Sequence, residues 1–107
     1  MTLLKWNKEF AMEQAADDQE LLQELIDIFK TSFADDLELI RSGVVAGNVK
    51  QVTGAAHSIK GASSSLGIEG VTEVAKIIED EGKTGKLDLT GKLIGKLEKM
   101  LQEVEGL

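Results

Sequence analysis

From Leu22 onward, apolar residues return at every third or fourth position: Leu22, Leu25, Ile26, Phe29, Phe33, Leu37 and Ile40. That spacing lays one apolar stripe along a helix. Asp17 and Asp18 form an acidic start, and Gly43 or Gly47 is the expected stop. Leu21 and Ile28 widen the stripe, which predicts more than one packing neighbour. A shorter helical segment, Asn7 to Ala16, precedes it, with Trp6 and Phe10 placed to fold back over the end of a bundle. A second long helix is predicted from Asn48, a good N-cap residue, with Val49, Val52, Ala56, Ile59, Ser63 and Leu66 inward and Gly67 as its end. A third begins near Glu69, turns Val71, Val74, Ala75 and Ile78 inward, and stops at Gly82-Lys83-Thr84-Gly85. A fourth starts near Asp88 and carries Leu89, Leu93, Leu97, Met100, Leu101 and Val104 on one face.

Strand-like alternation has no length anywhere, and Ser63-Ser64-Ser65 lies inside the helical pattern rather than in a linker. Amphipathic helices joined by short connections become antiparallel neighbours. The expected fold is therefore all-α: an antiparallel up-down four-helix bundle with a short additional N-terminal helix, residues 1–107 forming a single domain. A chain of 107 residues has no room for a second core, and the absence of proline agrees with long helices.

Composition narrows the chemistry. Cysteine is absent, which excludes disulfides and thiolate metal sites, and a single histidine excludes sites built from two or three. Twelve Lys and Arg stand against 19 Asp and Glu, a net charge of −7. Such a surface repels phosphate backbones and anionic membranes, so neither nucleic acid binding nor membrane insertion is expected. No apolar run approaches the roughly 20 residues that cross a bilayer. A cytoplasmic monomer is the expectation.

One stretch departs from what stability alone would select. A helix turns about 100° per residue, so with His57 at zero Leu66 falls near 180° and Ile59 near 200°. The apolar stripe is on the far side and His57 faces outward. Thr53, Gly54, Gly61 and Ser64 fall within about 60° of it, and Lys50 and Lys60 flank it. Each glycine inside a helix costs roughly 1 kcal/mol relative to alanine. A face built only for stability would carry Glu, Lys, Gln or Ala there. Small residues leave the imidazole clear for close approach by another molecule, and the lysines put positive charge beside it in an acidic protein.

An exposed imidazole among small residues and cations suits an anion, phosphate above all. Imidazole is a competent nucleophile near neutral pH, and phosphoryl transfer needs mainly positioning and charge neutralisation. Lysine supplies a point charge for phosphoryl oxygens. An acceptor on one ring nitrogen would fix the tautomer, and Glu79, at the edge of the third helix's stripe, is a candidate. Against this stands the ordinary meaning of a lone surface histidine, of solvated lysines, and of serines that simply allow helices to pack closely.

The run His57-Ser58-Ile59-Lys60-Gly61-Ala62-Ser63-Ser64-Ser65-Leu66-Gly67, with Ala56 before it and Ile78-Glu79 followed by Gly82, resembles the motif of histidine phosphotransfer (HPt) domains. The resemblance covers essentially the whole chain. It implies that His57 accepts a phosphoryl group from a receiver-domain phosphoaspartate and relays it to another receiver's aspartate. It implies that Lys60 steadies that group, that Gly61 gives steric access, and that Glu79 accepts a hydrogen bond from the ring nitrogen that is not phosphorylated. Some members carry glutamine at the position matched to Glu79. A further basic group from the third helix would be Lys76 or Lys83. The implied partners are response-regulator receivers and a sensor histidine kinase. No cofactor belongs to the chain itself; Mg²⁺ in such relays belongs to the receiver.

The domain would be a phosphocarrier without an ATP site of its own. Gly82-Lys83-Thr84 matches the end of a phosphate-binding loop, but that motif needs glycine at position 77, where Ile77 sits. Two other functions stay open. One is the phosphorylated N-terminal domain of a chemotaxis-type histidine kinase, modified from ATP at the same His57. The other is a non-catalytic adaptor bundle. A carboxylate-bridged metal bundle would need paired Glu-x-x-His motifs, and Gly54 stands three residues before His57.

Overall fold

The computed structural model describes residues 2–107 and consists of five helices. They are α1 (Lys8–Gln14), α2 (Gln19–Ala46), α3 (Val49–Ser65), α4 (Glu69–Lys83) and α5 (Asp88–Glu105). The short connections make successive long helices antiparallel. α3 packs most extensively against α4 and then α2, while α5 closes the ring against α2 and α4. The longest helix, α2, has 28 residues. At about 1.5 Å of rise per residue it spans the molecule's 42 Å long axis.

Local chemistry sets the ends. Asp18 caps α2 by accepting from the backbone N–H groups of Glu20 and Leu21, and Asn48 caps α3 by accepting from Gln51. α2 ends at Gly47, whose φ of 67° is the left-handed conformation glycine tolerates. Gly43 lies inside the helix and serves packing instead. A Cβ there would stand 2.6 Å from Val52 Cγ2, so the missing side chain lets α2 and α3 close on each other.

The core is one cluster that includes Phe29, Phe33, Leu37 and Ile40 of α2, Val52, Ala56 and Ile59 of α3, Val71, Val74 and Ile78 of α4, and Leu97, Met100 and Val104 of α5. Ala11 and Ala15 of α1 cover Leu22 and Ile26 in a smaller cluster. Ser63 is fully buried yet satisfied: its hydroxyl donates to the Ile59 carbonyl at 2.7 Å and shares a 2.8 Å hydrogen bond with Thr72 of α4.

The predicted elements form, but three apolar residues point elsewhere. Leu21 and Ile28 do not widen the buried stripe; Ile28 is 65% exposed. They lie more than a quarter-turn from the Leu22–Phe29 line. Among the described residues, α2 is flanked by α3 and α5, and the seven-residue α1 covers one end. Leu89 is also exposed, because Glu81 of α4 fixes the start of α5 in another orientation. Its carboxylate accepts from Leu89 N–H at 2.7 Å and from both the N–H (2.8 Å) and the hydroxyl (2.7 Å) of Thr90. Thr90 is drawn inward, Leu89 turns out, and Leu87 at the cap position needs no capping side chain.

The N-terminal segment is tied down by its backbone. Asn7 N–H donates to the Gly67 carbonyl at 2.8 Å, and Gly70 N–H donates to the Leu4 carbonyl at 2.7 Å. The Trp6 indole donates to the Leu66 carbonyl at 3.0 Å and is half-buried, whereas Phe10 remains exposed at its rim. A Cβ at Gly70 would overlap the Leu3 carbonyl oxygen, so the segment could not lie where it does against any other residue.

Burial works against the charge of Glu81, but the Thr90 hydroxyl and the two N–H donors outweigh it and hold the carboxyl below its usual pKa. A carboxyl lowered in the folded state stabilises above its unfolded pKa and loses that contribution as pH falls through the folded value. Glu81→Gln is therefore expected to cost about 0.5–2 kcal/mol at neutral pH, the range of a lost helix cap. The gap from the wild type should close in acid. Urea unfolding at both pH values checks this, and a gap that does not change with pH contradicts it.

Candidate functional site

α3 places its apolar side against α2 and α4 and leaves the opposite side bare. His57 stands on that bare side with its side chain 70% exposed. The ring is held from behind. Its Nδ1 lies 2.8 Å from Oε2 of Glu79, which reaches across from α4 and is itself only 12% exposed. The other oxygen of the same carboxylate accepts from Lys60 Nζ at 2.5 Å. One side chain of α4 thus grips two of α3, an i and i+3 pair that share a helix face.

The hydrogen bond from Lys60 is the largest influence on Glu79, and with the bond to His57 it overcomes the cost of burial and lowers the carboxyl pKa. Glu79 is therefore a carboxylate at neutral pH and can only accept. The proton in the His57–Glu79 contact must lie on Nδ1, which leaves Nε2 as the outward lone pair.

The neighbourhood is unobstructed. A Cβ built on Gly54 or on Gly61 would meet nothing within 4 Å. Neither glycine is needed for the chain to pack on itself. Gly82 of α4 is the opposite case: a Cβ there would collide with Thr53 Cγ2, so α3 and α4 meet closely under the histidine. Lys50, Thr53, Gly54, His57, Glu79, Gly82 and Lys83 line an open depression of about 450 Å³.

The structure sorts the residues singled out from the sequence. Lys50, Thr53 and Gly54 share the depression with His57 and Glu79. The Thr53 hydroxyl is turned back to the carbonyls of Val49 and Lys50, both at 3.1 Å, so only its methyl faces the helix contact. Gly61 is exposed one helical turn after His57 but outside that depression, and Ser64 lies in a separate one with Asn7, Phe10 and Thr72. Lys60 faces Glu79 rather than open solvent. Lys76 is exposed and lies outside the depression, while Lys83 lines it. The sequence does not choose between these two lysines, since Lys76 three residues before Glu79 and Lys83 four residues after it both share its helix face. Among the described residues, no cluster of three or more His, Asp or Glu side chains could hold a metal ion.

Residues 24–106 match the family model of the Hpt domain. The chain belongs to the Hpt domain family. Members of this family are phosphocarriers of phosphorelays rather than enzymes in the usual sense. The Hpt fold is shared with histidine-containing phosphotransfer protein B (HptB) of Pseudomonas aeruginosa PAO1. That crystal structure superposes with a TM-score of 0.85 at 22% identity, covering 94% of this chain and 87% of that one. The HPT domain of a sensor hybrid histidine kinase from Shewanella superposes with a TM-score of 0.79 at 20% identity, covering 97% and 93%. At such identities the likeness is one of fold. No curated protein matches the chain significantly.

In this Hpt domain the depressed Glu79 carboxyl provides a direct check of the gripping geometry. Its stabilising contacts are present above the unfolded carboxyl pKa and fade as pH falls through the lowered value. Lys60→Ala removes the leading cause, so the Glu79 midpoint, followed by carbon-detected NMR, should rise toward the ordinary carboxyl value. An unmoved midpoint contradicts the Lys60–Glu79 pairing.

Proposed function

We propose that His57 is the phosphorylated residue: it takes a phosphoryl group from a receiver-domain phosphoaspartate and passes it to the aspartate of another receiver. The observation that carries this reading is an imidazole that is fixed on its inner nitrogen and uncrowded on its outer one. Nε2 attacks phosphorus, an N–P bond forms, and the bond to the aspartyl oxygen breaks with its electron pair leaving on the carboxylate. Nδ1 keeps its proton throughout, so no base is consumed. Glu79 orients the ring, Lys60 holds Glu79, and Lys50 and Lys83 put positive charge around the depression where phosphoryl oxygens would lie.

Lys60 enters here differently from what the family resemblance implies. Its ammonium is 2.5 Å from Glu79 in the resting domain, so it supports the acceptor and reaches a phosphoryl group only by leaving or sharing that contact. Gly54 and Gly61 give a partner's backbone room to approach. The partner receiver brings the Mg²⁺ and the acidic pocket. No helix among the described residues is long and apolar enough to cross a membrane. We place the domain in the cytoplasm with its receivers, acting as a monomer.

His57→Gln should abolish phosphate uptake from a phosphorylated receiver and leave helicity and unfolding stability within about 0.5 kcal/mol, as for other exposed positions. Gly61→Val should leave stability equal or slightly higher, since valine is the better helix former. It should slow transfer at least tenfold. Labelled phosphate retained by the glutamine variant, or undiminished transfer by the valine variant, overturns the assignment. Parallel incubation with a chemotaxis-type kinase domain and ATP separates a receiver-fed carrier from a kinase-fed one.

A further inference from the structure

Transfer through His57 has two halves, and the second makes a demand that the resting geometry answers. Once Nε2 carries phosphate and Nδ1 keeps its hydrogen, the ring is a cation. If Nδ1 loses that hydrogen, the ring must depart as an imidazolide anion when the next acceptor attacks, and it is then a poor leaving group. With the hydrogen in place it departs as neutral imidazole. The groups around the ring therefore decide how long the phosphorylated form stays transferable as pH rises.

Those groups carry both signs. On α3 they are Lys50 and Lys60; on α4 they are Lys83, with Asp80 3.9 Å from its ammonium, and Glu79. On α2, Asp36 sits beside Ser58, and burial raises its pKa. The cations oppose a charged ring. Glu79 is the carboxylate that touches it, at 2.8 Å, and it touches the nitrogen that must stay protonated. A carboxylate there cannot offer a hydrogen to a bare Nδ1, so loss of the proton would set a lone pair against an anion. An amide at the same place could turn its NH₂ to the bare nitrogen and would favour the deprotonated ring.

We propose that Glu79, a positioning residue, also retains the Nδ1 proton on phosphorylated His57 through its carboxylate, and so keeps the phosphoryl group transferable to higher pH than an amide would. This rests on the phosphocarrier assignment above. Phosphoryl leaves with the N–P bond broken, the electron pair returning to Nε2, and the proton still shared between Nδ1 and Glu79. Lys60, bonded to the same carboxylate, weakens this hold, so the two residues set the pH range jointly.

The test uses the full chain phosphorylated with phosphoramidate, which needs no partner protein. The first-order loss of phosphate from His57 is followed from acid to alkaline pH for the wild type, Glu79→Gln, Glu79→Asp and Lys60→Ala, with helicity recorded for each. The rate falls with pH as the ring loses its proton. The midpoint of that fall should drop by about one pH unit or more in Glu79→Gln, the scale of removing an opposite charge in contact. It should lie between the two in Glu79→Asp and should not drop in Lys60→Ala. A purely structural Glu79 would change the rate without moving the midpoint. Coincident midpoints for the wild type and Glu79→Gln overturn the retention of the proton while leaving the carrier assignment standing. Failure of wild-type His57 to hold phosphate from phosphoramidate and from any receiver overturns both.

Discussion

A single carboxylate organises the candidate functional face of this Hpt domain. Glu79 is anchored on α4, largely out of solvent, and spends both oxygens on α3: one on His57 Nδ1 and one on Lys60. A free surface histidine would sample several rotamers and both tautomers. Here the ring's direction and its proton are both defined by a neighbour whose own charge is secured by an ammonium group. Everything proposed for the chain depends on that contact, because it turns a solvent-facing side chain into an oriented nucleophile.

The bundle holds α3 and α4 at the separation this contact requires. Gly82 against Thr53 lets the helices approach beneath the histidine, and the Ser63–Thr72 hydrogen bond links them lower down. Gly43 brings α2 close on the other flank. The glycines thus fall into two groups. Gly43, Gly70 and Gly82 are required by the protein's own packing. Gly54 and Gly61 touch nothing within the chain, although each costs roughly 1 kcal/mol in a helix. Residues that weaken the fold without serving it internally are the ones to connect with a visiting molecule.

Much of this arrangement was legible in the sequence, because helix geometry is periodic. The 100° step alone puts Ile59 and Leu66 behind His57 and the small residues around it. The ends at Asp18, Asn48 and Gly67 follow from capping chemistry. What was not legible depends on contacts between distant segments. Lys60 looks like a phosphate ligand from its neighbours in sequence, and only the position of α4 shows that its ammonium meets Glu79. Leu89 belongs to an apolar pattern, but Glu81 rotates the start of α5 so that Thr90 goes inside. Leu21 and Ile28 extend a stripe on paper, yet both stay exposed, Ile28 at the rim of an open depression that it shares with Gln14 of α1 and Ala62 of α3. The docking of Leu4 and Asn7 on the α3–α4 turn uses backbone groups, which leave no trace in residue type beyond Gly67 and Gly70 themselves.

The most direct test of the central claim is to ask which ring nitrogen carries the phosphate. Long-range proton–nitrogen correlation NMR of the nitrogen-15-labelled, phosphorylated domain distinguishes the two atoms. An oriented ring gripped by Glu79 gives phosphate on Nε2 of His57, with Nδ1 still bearing hydrogen. Phosphate on Nδ1, or a mixture of the two isomers, would mean that the carboxylate does not direct the chemistry.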